Sequence, residues 1–176
     1  ITGPPRFSPD GKSVVFPCKT QQGDFSIQLW DAGEGTKQIA ISTGKTPVAQ
    51  TSISPDGQRL AAGTHRGLLI YRLDDRQEDL RLDDNGGVLR TLEWGPNGRT
   101  LYSGSAAGFK KWENAVASPV NTNELDLGSS ATPDIQKLAF SPDGRWIVVA
   151  GLDKVFAYHW PSCKRVHAFD MRGVHK

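Results

Sequence analysis

The chain of 176 residues carries 21 basic and 19 acidic side chains, a formal charge of +2, and 37% of its residues are hydrophobic. This near-neutral balance argues against nucleic acid as the main partner, because that shows itself as a basic excess, and no run approaches the ~20 apolar residues of a membrane span. Two cysteines, Cys18 and Cys163, exclude a disulfide-dense scaffold. The 19 Gly and 11 Pro, spread evenly along the chain, exclude long helices, since each breaker inside a helix costs about 1 to 3 kcal/mol.

Taken in chain order, the predicted elements are short strands joined by turns. In the first unit, residues 4–43, a strand enters the turn Phe7-Ser-Pro-Asp-Gly11 and a second leaves it. A polar stretch at Lys19–Asp24 follows, then the alternating run FSIQLW ending at Trp30, the polar turn Ala32–Lys37 and a fourth strand at Gln38–Ser42. The second unit, 48–83, repeats the plan with Ile53-Ser-Pro-Asp-Gly57, Arg59–Thr64, LLIY ending at Tyr71, the turn Asp74–Asp79 and Leu80–Leu82. The third, 88–129, has Trp94-Gly-Pro-Asn-Gly98, FKKW ending at Trp112, the turn Asn114–Asn123 and an expected last strand at Glu124–Leu127. The fourth, 135–170, has Phe140-Ser-Pro-Asp-Gly144, Arg145–Gly151, VFAY ending at Tyr158, Pro161–Lys164 and Arg165–Phe169.

A hydrophobe followed by Ser-Pro-Asp-Gly is a turn with a mechanism: Pro presets φ, Asp caps the backbone and Gly supplies φ > 0. The four turn hydrophobes recur at intervals of 46, 41 and 46 residues. The strand-ending aromatics Trp30, Tyr71, Trp112 and Tyr158 follow them by 23, 18, 18 and 18. The excess of five in the first unit falls in Lys19–Asp24, where a loop insertion is tolerated. Four copies of the turn, with two marks that hold register over three of them, define a repeat architecture.

A four-stranded unit of this length, closed by an aromatic–acid pair, resembles a blade of the WD-repeat β-propeller family. Trp30-Asp31 is the literal pair; Tyr71-Arg72, Trp112-Glu113 and Tyr158-His159 are degenerate counterparts. The Gly-His pair that opens many such repeats is missing, with Gly173-Val-His175 a loose echo, so the His-Ser-Trp-Asp network of the family is absent or partial. Ser-Pro-Asp-Gly turns also mark related propellers in periplasmic and peptidase-associated proteins. The resemblance implies an all-β fold of four four-stranded antiparallel sheets within a seven- or eight-bladed ring, closed by further blades of the same chain or by a second copy. The opening at Ile1 and the stop at Lys176 are read as cuts within a longer chain.

Catalytic motifs are not found. Gly44-Lys45-Thr46 resembles the end of a phosphate-binding loop, but the first glycine of that motif would fall at Ile39. Gly104-Ser-Ala-Ala-Gly108 has its serine off-centre for a nucleophile elbow. His159, His167 and His175 are evenly spaced, yet strand geometry does not bring them together, and Ser-Pro-Asp-Gly offers one carboxylate where calcium needs several oxygens. Neither a metal nor another cofactor is expected. Trp94 is expected in the core, Trp146 partly exposed, and Trp160 over the open edge of the last unit. A net −4 run at Asp74–Asp84 and a basic run at Lys164–Lys176 read as a solvated rim.

The function this implies is a non-catalytic scaffold that binds other proteins or peptides, in the cytoplasm, with no membrane or nucleic-acid role. The alternative is a regulatory or substrate-binding propeller within a larger enzyme, a kinase or a peptidase. Candidate contacts on the face of the fourth-to-first and second-to-third strand connections are Lys45, His65, Arg66, Asp84, Asn85, Asp134, Asp153 and Lys154.

Overall fold

The structure, a computed structural model, describes residues 1–83, 87–115, 120–122 and 134–171. Its sixteen strands fall into four antiparallel sheets, each taken in chain order. The first holds β1 (Arg6–Phe7), β2 (Ser13–Lys19), β3 (Phe25–Asp31) and β4 (Lys37–Gly44); the second holds β5 (Val48–Ile53), β6 (Arg59–Thr64), β7 (Gly67–Arg72) and β8 (Glu78–Asp83). The third holds β9 (Leu89–Trp94), β10 (Leu101–Ser105), β11 (Gly108–Glu113) and β12 (Val120–Thr122); the fourth holds β13 (Lys137–Phe140), β14 (Trp146–Ala150), β15 (Lys154–His159) and β16 (Lys164–Asp170).

One expectation needs correcting. The fourth strand of the third sheet was placed at Glu124–Leu127, but Val120–Thr122 pairs with β11, with Trp112 opposite Asn121. Residues 124–127 lie outside the described residues. The cause is turn geometry. In the other sheets the aromatic pairs with the residue seven further on (Trp30 with Lys37, Tyr71 with Glu78, Tyr158 with Arg165). A left-handed residue sits five after the aromatic in each: Gly35, Arg76 and Cys163. In the third sheet the described part of the turn has a left-handed residue at Asn114, two after Trp112, and the strand partner comes nine later.

The sheet faces that meet another sheet are mainly apolar, because strands alternate their side chains. Val15, Ile27 and Leu29 of the first sheet pack on Leu60, Ala62, Leu69 and Tyr71 of the second. Ala61, Leu68 and Ile70 on the opposite face meet Leu92, Trp94, Leu101 and Trp112 of the third. Tyr102 and Phe109 in turn meet Leu138, Ile147, Val149, Phe156 and Tyr158 of the fourth. The sheets are therefore stacked in sequence, with the leading strands β5, β9 and β13 adjacent.

Hydrogen bonds cross these joints. Trp94 donates its backbone N–H to Ser52 Oγ (3.3 Å) and its indole N–H to the Ser52 carbonyl (3.2 Å). Leu138 N–H donates to Thr91 Oγ1 at 3.1 Å. Arg6 on β1 reaches past the second sheet to pair with Glu93 on β9. Burial pushes the Glu93 carboxyl upward, and the Arg6 guanidinium opposes that shift. Trp94 is buried as expected, and Trp146 is half-buried. Trp160 does not cover an open edge: it stands edge-on to Tyr102 and Phe140, 5.6 Å from each, between the third and fourth sheets.

Candidate functional site

The candidate contacts among the described residues sit at one end of the stack, on loops or, for Lys154, at the start of a strand. The β6–β7 connection is a two-residue turn, His65-Arg66, between paired Thr64 and Gly67. Gly67 adopts φ 137°, a conformation that L side chains rarely take. Thr64 Oγ1 donates to the Gly67 carbonyl (3.0 Å) and accepts from Arg66 N–H (3.1 Å). That latch is buried, whereas His65 and Arg66 are exposed. Neither side chain has a polar partner among the described residues.

Lys45 follows Gly44, whose φ is 60°, and its ammonium lies 2.5 Å from Asp24 Oδ1. Asp24 closes the loop after β2, whose Thr20 carbonyl and hydroxyl accept from Gly23 and Asp24 N–H at 3.0 and 3.2 Å. The five-residue insertion in the first unit thus supplies a partner for Lys45. Asp134 accepts from Arg90 Nη1 at 2.5 Å, an ion pair joining the third sheet to the segment that leads into the fourth. Sequence reasoning missed Asp24 and Arg90, since nothing in the local pattern marks a partner 21 or 44 residues away.

Asp153 is exposed in the β14–β15 turn, and its carbonyl accepts from Met171 N–H at 2.7 Å. Lys154, the first residue of β15, is half-buried. Leu152 beside them is 68% exposed and was not singled out. Asp84 and Asn85 lie outside the described residues. The structure brings Lys45, His65, Arg66, Asp134 and Asp153 to the same end of the sheets. Lys45 and Asp134 are held in ion pairs, while His65, Arg66 and Asp153 are presented to solvent.

Among the described residues, no group of three or more His, Cys, Asp or Glu could hold a metal ion. No helix among them is long and apolar enough to cross a membrane. Of the family's His-Ser-Trp-Asp network, a Ser–Trp contact is present in the third sheet, where Trp112 Nε1 donates to Ser103 Oγ at 3.0 Å.

Four-stranded antiparallel sheets packed face to face, with leading strands inward and loops at both ends, define a β-propeller. Solved structures agree. The β-propeller domain of Cps50 (Swd1) from Myceliophteria thermophila matches 95% of this chain and 54% of its own, with a TM-score of 0.77 at 10% identity. U3-55K matches 96% and 51%, with a TM-score of 0.71 at 22% identity. The "WD domain, G-beta repeat" family profile matches residues 125–156. Eukaryotic translation initiation factor 3 subunit I of Drosophila pseudoobscura pseudoobscura is 28% identical over 148 residues, 76% of this chain and 44% of that protein. The uncharacterized peptidase YuxL of Bacillus subtilis (strain 168) is 29% identical over 147 residues, 82% of this chain and 21% of that protein. The chain has the fold of a β-propeller and resembles the WD40-repeat proteins. It spans about half of the solved propellers it matches and less than half of these curated relatives.

Proposed function

We propose that the chain is a non-catalytic scaffold that captures a protein or peptide on the loop end carrying Lys45, His65, Arg66, Asp134, Asp153 and Lys154, in the cytoplasm. The observation that carries this reading is the His65-Arg66 turn. Its backbone is latched by the buried Thr64 hydroxyl, so two polar side chains are presented at small conformational cost. Rigid presentation of loop residues is what a recognition surface needs. The resemblance to an initiation-factor subunit supports an assembly role.

Affinity capture with the tagged chain, followed by quantification of the stoichiometric partner, tests the proposal. The double variant His65→Ala/Arg66→Ala is expected to lose most of the captured partner while its melting temperature is unchanged. Undiminished capture removes this turn from the surface. The similarity to a peptidase favours a second reading, a propeller that serves a larger enzyme. Under that reading, the stoichiometric species carries a hydrolase domain on the same polypeptide.

A further inference from the structure

The opposite end of the stack, where the Ser-Pro-Asp-Gly turns lie, holds a cleft at the joint between the first and second sheets. Four residues occupy equivalent places there, because each donates its N–H back to the start of the second strand. These are Ala32 to Lys12 (2.8 Å), Leu73 to Gln58 (2.9 Å), Ala115 to Arg99 (2.8 Å) and Trp160 to Arg145 (2.7 Å). At the third joint, Trp160 and Phe140 fill the space below the turns with rings. At the second joint, Trp94 does so beside Ala115. At the first joint the corresponding residues are Leu73 and Ile53, neither of them aromatic, and the one ring in that cluster is the strand-ending Tyr71.

The turns differ in the same way. A β-carbon built on Gly144 would lie 3.2 Å from Pro96, and one on Gly98 3.9 Å from Pro55, so those turns lean on each other. A β-carbon on Gly57 would meet nothing within 4 Å. The result is a cleft of about 270 Å³ with an apolar floor of Leu29, Ile39, Ile53 and Leu73. Asp10 and Asp56 stand at its rim. Each uses Oδ1 to cap its own turn, accepting from the Ser8 hydroxyl and Lys12 N–H or from the Ser54 hydroxyl and Gln58 N–H. The second oxygen of each carboxylate has no partner among the described residues. The neighbouring cations Lys12 and Arg59 favour the charged carboxylates from a distance but form an ion pair with neither, Arg59 being committed to Asp79 at 3.2 Å.

We infer that this cleft is a second binding site, taking one large apolar side chain, preferably aromatic, from an extended peptide with Arg or Lys on either side of it. The guest ring occupies the place that Trp94 and the Phe140–Trp160 pair fill at the other joints. The flanking cations meet Asp10 and Asp56, which supply the charge complementarity. This site lies at the end remote from His65 and Arg66 and does not depend on the proposed scaffold surface.

Titration of the full chain with the N-acetylated, C-amidated peptide Ala-Arg-Trp-Arg-Ala, followed by methyl NMR, tests the inference. Resonances of Ile39, Ile53 and Leu73 are expected to shift, and the analogue with Glu in place of both Arg is expected to leave them unmoved. Leu73→Trp, which places in the chain the ring that Trp160 supplies at the third joint, is expected to abolish binding. Should that variant not fold, Asp10→Asn/Asp56→Asn decides. Asn97 caps the equivalent turn of the third sheet with the same carbonyl geometry, so this pair removes charge and keeps the turns, and binding is expected to weaken about tenfold. Absent shifts at low-millimolar peptide, equal binding of the Glu analogue, or binding that the Asn pair leaves unchanged would overturn the inference.

Discussion

Ser54 is buried, yet its hydroxyl is fully used: it donates to Asp56 Oδ1 at 2.5 Å and accepts from Arg59 N–H at 2.9 Å. Ser8–Asp10 (2.6 Å) and Ser141–Asp143 (2.5 Å) repeat the pairing. The third sheet reaches the same end with different residues. Gly95 stands where the serine would be, because a β-carbon there would lie 3.2 Å from the Tyr102 ring. Thr100 takes over, with Asn97 Nδ2 donating to Thr100 Oγ1 at 3.0 Å. Ser54→Ala is expected to cost about 1 kcal/mol, read by denaturant unfolding.

The serine hydroxyls and turn amides hold the carboxyls of Asp10, Asp56 and Asp143 below the ordinary aspartate range. An acid depressed in the folded state stabilises fully above its unfolded pKa and loses that contribution as pH falls through the folded one. Melting temperature is therefore expected to fall on acidification below the ordinary aspartate range, and Ser54→Ala to flatten that fall. Arg76 is a left-handed residue where the first sheet has Gly35. Arg76→Gly is expected to remove a strain of about 1 kcal/mol, and Gly35→Ala to add a similar one. The turns were legible in the sequence because Pro, Asp and Gly each fix the backbone locally. The Thr64 latch and the Arg90–Asp134 pair were not, since they depend on which strands the fold sets side by side.

Between elements, small residues decide how closely sheets approach. A β-carbon on Gly104 of β10 would lie 2.4 Å from Ile135 Cγ2 and 2.8 Å from Thr91 Cγ2, and one on Gly63 of β6 would lie 3.0 Å from Leu89 Cδ1. Both glycines receive the aliphatic side chain that leads into the next sheet. Gly104→Ala is expected to destabilise by about 1–3 kcal/mol through overpacking, with a smaller effect for Gly63→Ala because the Leu89 terminus can turn aside. Thermal unfolding of the two variants checks the order. Strand positions were legible because alternating hydrophobicity and the strand-ending aromatic set the register twice over. The last strand of the third sheet escaped because its turn is two residues longer and carries no such mark.

For the molecule as a whole, two sheet faces lack a neighbour among the described residues. On the first sheet, Val14 pairs with Trp30 and Phe16 with Gln28 on the face away from the second, and Phe7 on β1 is 69% exposed. On the fourth, Val148 and Phe169 are 37% and 51% exposed. Apolar sheet faces of this kind associate in water. The isolated chain is expected to sediment as species heavier than its 19.2 kDa, and Val148→Asp to shift it toward the monomer. The repeat and its four sheets could be read from spacing alone. The cleft at the first joint could not, because it comes from what neighbouring units fail to fill.

Repeat arrays are ordinarily described by coupling between adjacent units alone. The pair from Arg6 to Glu93 breaks that description, since it ties unit one to unit three like a brace across a hinge. Fraying should therefore be lopsided, with the C-terminal sheet opening first and the N-terminal one held back. Cutting the brace with Glu93→Gln is expected to speed amide exchange in β2 and β3, some sixty to eighty residues from the altered position.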